Sequence, residues 1–534
     1  MKKSIFVAAI ASLMTFSSCG DNILDLENPN TIDSSNFWKS ENDMEQGVNA
    51  IYNMFYKMAS WSRWLHYSFE IKADLCSNTS PWLELQDWTK FKYNNYDFWE
   101  GNREIWKDHY KAIYRSNQVI YNINKVEFAD EAFKKRLIGE ARFLRALYNF
   151  DLALLWGTAP IVDKISAPTD CPRNSTQEEM YNFCIADLKM AADYLEESYT
   201  GKDLGRATKG AAKALMARVY MQQHKWAEAK AELQWLVEGE GKKYYGLVEN
   251  WEDNFRHDTE NNKESVFEMQ FDAINEQGGV QDGPGACMGF QRPQFFAPGG
   301  IGWNECDVRQ WVIDEFLKEK RTDGQYDRRL LRTCWFINQK DYFPNDPDDI
   351  YGKNSGDREK LWRDSNWDYE TSNTGETGHR NMIRKYQGDY YRDFENYANP
   401  INFRYIRFAD VLLMYAECIN NLEGPSNAAQ YVDQVRTRAK LKTLAQAHPE
   451  ALNGQAEFQE RLEMERALEL CGECVRWADL MRWGYFDSKD KVQILKKRDK
   501  DFANFDDVTF KHKFFPISNL ELSANKNLKQ NPNY

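Results

Sequence analysis

Past residue 18 the 534-residue chain has no apolar run approaching the ~20 residues that a helix needs to cross a bilayer, and its mean hydropathy is −0.74. The bulk of it is therefore expected to fold in water. Basic blocks are also missing, against a formal net charge of −13. A nucleic-acid partner needs a Lys/Arg stripe that displaces counterions, so that class is excluded. The seven histidines form no HExxH, which removes the common zinc-hydrolase signature. No GxSxG elbow occurs, and Ser488-x-x-Lys491 lacks the companion motifs of serine acylases. One CxxC, Cys471 and Cys474, has neither a second CxxC nor a preceding strand, so it reads as packing within a helix rather than as a redox or metal pair.

Aromatic residues are what the chain has in quantity: 18 tryptophans, within an aromatic content of 14%. Several must lie outside the core. With 42% hydrophobic residues over this length, a large core is nevertheless assured.

The first residues read as an address. Lys2 and Lys3 precede an apolar run from Ile5 to Phe16 that is too short to span a membrane, and Ser17-Ser18 then supply small residues before Cys19. This resembles the lipobox of bacterial lipoproteins, although Phe16 stands where Leu is usual. It implies a signal peptide at 1–18, lipidation of Cys19 and a polar tether over 19–33. Cleavage there removes two lysines and no acid, taking the charge to −15. Nine cysteines then remain, so disulfides cannot pair them all.

Helical periodicity dominates the first half. Val48, Ile51, Tyr52 and Phe55 keep the i, i+3, i+4, i+7 spacing, and Leu137, Ala141, Leu144, Tyr148, Leu152 and Leu155 mark a helix stopped by Gly157 and Pro160. Another is expected to start at a capping box of Ser175 and Glu178 and to run through Met180, Cys184, Leu188, Ala191 and Leu195. Trp106 and Trp226 fall on packing positions of such helices. Two stretches look like copies of one helical hairpin, with Ala217 and Ala229 in the first and Ala416 and Ala428 in the second at the same offset. Tetratricopeptide-like pairs use small residues in this way. Because the copies are far apart in sequence, the expected fold is all-α with a discontinuous helical-hairpin scaffold. Between them, residues 272–303 and 337–400 are rich in Gly, Pro, Asn and Asp yet keep Phe, Tyr and Trp. Loops this long are usually functional or disordered, and disorder is poor in aromatics. Both are read as ordered excursions, the first as the binding surface.

Near the C-terminal end, Glu465, Arg466, Glu469, Glu473, Arg476, Asp479 and Arg482 alternate in sign. On a single helix, Glu473/Arg476 and Asp479/Arg482 would pair at i, i+3, giving a structural ion network rather than a catalytic carboxylate pair.

Together these segments resemble the SusD/RagB family of surface glycan-binding lipoproteins. The resemblance rests on SSNFWKSENDMEQGVNAIY (34–52), GEARFLRALYNFDLALLWGTAPIV (139–162), RATKGAAKALMARVY (206–220), RYIRFADVLLMYAE (404–417), ERALELCGECVRWADLMRWG (465–484) and KFFPISNLELSANKNLKQNPNY (513–534), which fall in the family's order. It implies one SusD-like domain over 34–534, anchored in the outer membrane through Cys19. It further implies that the protein captures glycan and passes it to a SusC-like TonB-dependent transporter, with no catalysis and no cofactor. Calcium has no EF-hand signature to hold it.

A pyranose offers an apolar face and a hydroxyl edge, so a site for one needs aromatic platforms with a few polar partners. Trp82 and Trp88 in SNTSPWLELQDWTK, Phe295, Phe296 and Trp303 in the first excursion, and Gln291 as polar partner are the candidates, in segments matching those where family members carry ligand contacts. The competing functions are a helical-repeat adaptor or lid of the transporter without glycan affinity, and a glycoside hydrolase with two carboxyls flanking a cleft.

Overall fold

The computed structural model describes residues 37–78, 80–91, 93, 99–167, 169–274, 287–336, 339–343, 381–498, 513–532 and 534. Cys19, the signal peptide and the tether lie outside these residues, as do 275–286, 337–338 and 344–380 of the two excursions.

Its scaffold is helical. In chain order the principal helices and strands are α1 (Glu41–Tyr52), α2 (Trp64–Glu70), β1 (Cys76–Asn78), α3 (Leu83–Lys90), α4 (Glu104–Asn122), α5 (Glu131–Leu155), α6 (Gln177–Tyr194), α7 (Lys209–Gln222), α8 (Trp226–Val237) and β2 (Ser265–Met269). They continue with α9 (Arg292–Phe296), β3 (Cys306–Val308), α10 (Gln310–Lys318), α11 (Arg329–Thr333), β4 (Cys334–Trp335), β5 (Met382–Ile383), β6 (Phe403–Arg407), α12 (Phe408–Glu423), α13 (Pro425–Arg438), α14 (Gln455–Leu470) and α15 (Arg476–Arg482). Successive helices from α4 to α8 pack each on the next, and α8 then packs on α12, which carries α13 and α14. The two hairpins distant in sequence are therefore neighbours in space. Ala217, Ala229, Ala416 and Ala428 are all fully buried, letting the helix axes approach closely.

The chain leaves this array after α8 and returns at α12 through a neck. Strands β2 and β6 pair antiparallel, Ser265 opposite Arg407 and Met269 opposite Phe403, so the excursion is closed where it begins. Its remaining strands form a small sheet in the order β1-β3-β5-β4, to which the N-terminal segment contributes β1.

Two sequence expectations shift locally. The helix expected to start at Ser175 is capped one residue later. Thr176 Oγ1 accepts from the Glu179 amide at 3.1 Å and the Glu179 carboxylate accepts from the Thr176 amide at 2.7 Å. Ser175 is used instead in a backbone bridge to Ala159. The charged helix expected over 465–482 is broken between α14 and α15. Gly472 and Cys474 take φ of +78° and +62°, left-handed values that end a helix. Cys471 and Cys474 thus sit in a turn. A hydrogen bond with Cys76 and burial push the Cys471 thiol up, and burial pushes up Cys474, the opposite of an activated thiolate.

That turn re-aims the charges. Glu473 pairs not with Arg476 but with Lys385 at 2.7 Å and Arg407 at 2.5 Å, while Arg476 reaches Asp74 at 2.7 Å. Asp479 does pair with Arg482, and also with Arg466 at 2.8 Å. At the centre Glu469 receives Arg407 and Arg438, each at 2.6 Å, and Arg329 at 2.7 Å, the side chains of all four being buried. Burial alone would raise the Glu469 carboxyl, yet Arg438, Arg407 and Arg329 hold it far below the usual range.

A buried ion left without its counter-charge costs several kcal/mol. Glu469→Gln is therefore expected to lower stability by about 3–5 kcal/mol, measured by urea unfolding. Glu240→Gln, which removes only the exposed Lys243 pair, is expected to leave the urea midpoint unchanged.

Candidate functional site

Residues 291–305 hold the candidate surface in a tight loop. Helix α9 starts with Pro293 in its first turn, where proline's missing N–H leaves no helical bond unmade. The chain then doubles back. Trp303 donates its amide to Gln294 O at 2.9 Å, Asn304 to Ala297 O at 2.9 Å and Glu305 to Phe295 O at 2.9 Å. Gly300 has φ +88°, and a Cβ on Gly302 would sit 2.4 Å from Gln294 O. Only glycine fits these two places. The Ala297–Trp303 stretch is thus locked by its backbone, and Trp303, 47% exposed, projects from it.

The Trp303 ring is buttressed from two sides. Phe295 meets it edge-on at 4.6 Å and Tyr397 at 6.1 Å with planes at 81°. Tyr397 comes from a segment tied to the loop by Glu395, whose amide donates to Ile301 O at 3.1 Å. The Glu395 carboxylate turns inward, accepting from Gly388 N at 2.6 Å and Asn399 Nδ2 at 2.9 Å. Neighbouring Phe394 is exposed.

Behind the loop the Arg63 guanidinium lies 3.5 Å from the Phe295 ring centre, 4.6 Å from Trp64 and 5.8 Å from Trp82. Arginine over aromatic faces is a stable arrangement, and here it links Trp82 and Trp303 into one aromatic array. Glu305 completes the support: it accepts from Ser80 Oγ at 3.2 Å and from the Tyr67 hydroxyl. Ser80 Oγ in turn accepts from the Trp82 amide at 3.3 Å.

The six candidates thus separate by position. Trp303 is exposed and Trp82 half-buried at the surface. Phe295 and Phe296 are fully buried, and Trp88 is in the core against Phe515 at 4.7 Å. These three cannot offer a face to a ligand; Phe295 instead sets the angle of Trp303. Gln291 is also buried, its backbone N–H donating to Ser62 Oγ at 3.4 Å. Trp106 is buried and Trp226 packs part-buried on the core, as their helical positions imply. Arg63, Glu305, Phe394 and Tyr397 escaped the sequence reading. The signal for Arg63 was its place between tryptophans in WSRW; nothing in the sequence joins Tyr397 to Trp303.

Among the described residues no group of three His, Cys, Asp or Glu side chains is placed to hold a metal ion, and no helix is long and apolar enough to cross a membrane. An interior cavity beside Trp61, Asp151, Arg466 and Glu473 measures about 30 Å³, room for about two waters.

The fold and surface define a class: a helical-hairpin scaffold whose long excursion carries a rigid aromatic array. The comparisons bear on the fold and the family. Residues 263–534 match the model described as the SusD family, and residues 23–221 match one described as starch-binding associating with outer membrane. The chain belongs to the SusD family. SusD-like protein P25 of Formosa agariphila is 28% identical over 484 residues, covering 86% of each chain. A SusD superfamily protein from Bacteroides vulgatus superposes with TM-score 0.75 at 26% identity, over 93% of this chain and 100% of that one. Surface glycan-binding protein A from Bacteroides thetaiotaomicron, solved with laminarihexaose, does so with TM-score 0.70 at 20% identity, over 92% and 99%.

Two measurements follow from this geometry. Trp88→Ala should cost about 3–5 kcal/mol in urea unfolding, whereas Trp303→Ala should cost under about 1 kcal/mol, since half of its ring is already in water. The pH dependence has two opposed limbs. Burial would raise Glu465, but Arg329, Arg436 and Arg461 hold it at about 2, below the ~4.3 of an unfolded chain. That stabilisation is complete above the unfolded value and is lost as pH falls from there to about 2. Burial holds Glu395 at about 7 despite Arg392. It keeps a proton that the unfolded chain has released, so its contribution is lost as pH rises towards 7. The two limbs meet near the unfolded value, so melting temperature should peak at about pH 4–5 and fall towards about pH 7, and Glu395→Gln should flatten the upper limb.

Proposed function

We propose that this protein captures oligosaccharide or polysaccharide at the cell surface on the array of Trp303, Tyr397 and Trp82. The observation that carries this is the exposed Trp303 ring, held by Phe295 and Tyr397 on a backbone locked by two glycines. A flat ring fixed before binding stacks on the apolar face of a sugar with little rotamer entropy to lose. The family match described as starch-binding associating with outer membrane and the laminarihexaose complex of a structural neighbour support the ligand class.

Binding rather than hydrolysis is the reading favoured at this surface. A glycosidase presents two carboxyls to the scissile bond. Here Glu305 and Glu395 are buried and occupied by inward hydrogen bonds, so neither is presented. Lipidation at Cys19 would place the protein on the outer membrane, and delivery of the captured glycan to a SusC-like TonB-dependent transporter completes the proposal. The transporter partner and the anchor rest on the family resemblance.

The test is binding of soluble residues 20–534 to a polysaccharide panel, with Trp303→Ala and Tyr397→Ala beside the native sequence. One glycan class should bind, and Trp303→Ala should weaken it at least about tenfold. Folded protein that binds no glycan, yet co-purifies with a transporter, would favour the adaptor reading instead. Unchanged affinity in Trp303→Ala would remove the platform, and release of reducing sugar would remove the non-catalytic reading.

A further inference from the structure

A separate pocket of about 350 Å³ opens between the end of α1, the 202–206 turn and β2, sharing no residue with the Trp303 surface. Its volume is at the lower end of the ~300–1,000 Å³ typical of small-molecule sites. The walls are apolar and aromatic: Tyr52, Phe55, Tyr56, Phe267 and Met288. Tyr56 is set by an edge contact with Phe271 at 5.7 Å, and Tyr52 by its hydroxyl, which accepts from Ala207 N at 3.0 Å.

The polar groups fall into two sets. Arg206 is consumed by Asp203, Glu140 and Glu45 at 2.8, 3.0 and 3.2 Å. Glu268 and Gln270 are likewise bonded to Asn402, at 2.9 and 3.0 Å. These hold the frame. Gly205, at φ +89°, allows the turn to close on Gln270, which a Cβ there would meet at 2.5 Å. In the second set are Asn49, Asn53 and Lys202, which line the pocket and have no side-chain partner among the described residues; the Tyr56 hydroxyl has none either.

We propose that this pocket is a second carbohydrate site, which takes one neutral sugar unit of an oligosaccharide. Hydroxyls both donate and accept, so they match two amides, a phenol and an ammonium at once. An anionic unit would gain Lys202 but meet the buried Glu268 carboxylate, and an aliphatic ligand would leave the amides unsatisfied. The ligand class rests on the glycan reading above; the location does not depend on Trp303.

Full-length detergent-solubilised protein carrying Trp303→Ala isolates the pocket from the surface platform. Saturation-transfer NMR with glucose, galactose, mannose, xylose and laminaribiose should show contact with at least one of these probes. Asn53→Ala combined with Lys202→Ala, both exposed positions, should weaken that binding about tenfold through two lost hydrogen bonds. Asn53→Trp should block the mouth and abolish it. Unaltered binding in both variants, or no contact with any neutral probe, overturns the pocket, as does a preference for glucuronate over glucose. The surface reading is scored independently: polysaccharide binding by native protein that disappears in Trp303→Ala stands even when the pocket fails, whereas native protein that binds no polysaccharide removes that reading.

Discussion

The buried charge network around Glu469 is the constraint on which the architecture turns. Glu469 lies on α14 and is shared by Arg407 at the end of β6, Arg438 on α13 and Arg329 within the excursion. Arg407 also reaches Glu264, just before β2, at 2.9 Å, and Glu473 at 2.5 Å. Both ends of the neck are thereby tied to the same helix and turn. Such a network is a poor source of net stability, because desolvation offsets most of the Coulomb attraction and apolar side chains of equal volume can do as well. Its value lies in position. Apolar contacts permit many registers between a helix and an inserted segment, whereas a carboxylate with three fixed guanidinium partners permits one.

The same logic reaches the aromatic array. Asp74, two residues before β1, is held by Arg476 of α15 at 2.7 Å and by Arg498 at 2.5 Å. Lys385, just beyond β5, is held by Glu473. The small sheet is therefore fastened at β1 and β5 to the helical scaffold, and β3 between them continues directly from Glu305 and the Trp303 loop. A recognition surface made of loops is usually mobile because few contacts hold it. Here the loop is pinned by backbone bonds, by Glu395 and by a sheet whose neighbours are ion-paired to helices. That makes the ring geometry a property of the scaffold rather than of the ligand, which is the condition for low ordering cost on binding.

Much of the scaffold was legible because amphipathic helices repeat their burial every 3.6 residues; Leu137 through Leu155 is an example. The strands were not, since segments of two to five residues such as Cys334–Trp335 and Phe403–Arg407 carry too few positions to show alternation. The break at Gly472 and Cys474 was hidden by charges that keep helical spacing across it. In the site, the Gly- and Pro-rich run that kept its aromatics was read as an ordered excursion, and Trp303 on it is exposed. The error lay in treating its aromatics alike: Phe295 and Phe296 face inward because α9 packs on β3, and sequence composition does not distinguish a buttress from a platform. Tyr397 and Arg63 were out of reach for a different reason. They join Trp303 only through tertiary contacts across long stretches of chain.

A proposed platform and a proposed pocket on one chain change what each must supply. A polysaccharide held at one of them offers its next units to the other at an effective concentration set by the chain between them, so the second contact is intramolecular. Each can then be modest: a stacked ring at the platform, three or four hydrogen bonds in the pocket. Weak individual contacts also dissociate quickly, which suits the proposed role of handing captured glycan on. Tight single-site binding would demand a larger buried interface than the projecting Trp303 offers. With both proposed sites occupied, small contacts on an internally charge-locked frame would obtain retention from geometry and keep release fast.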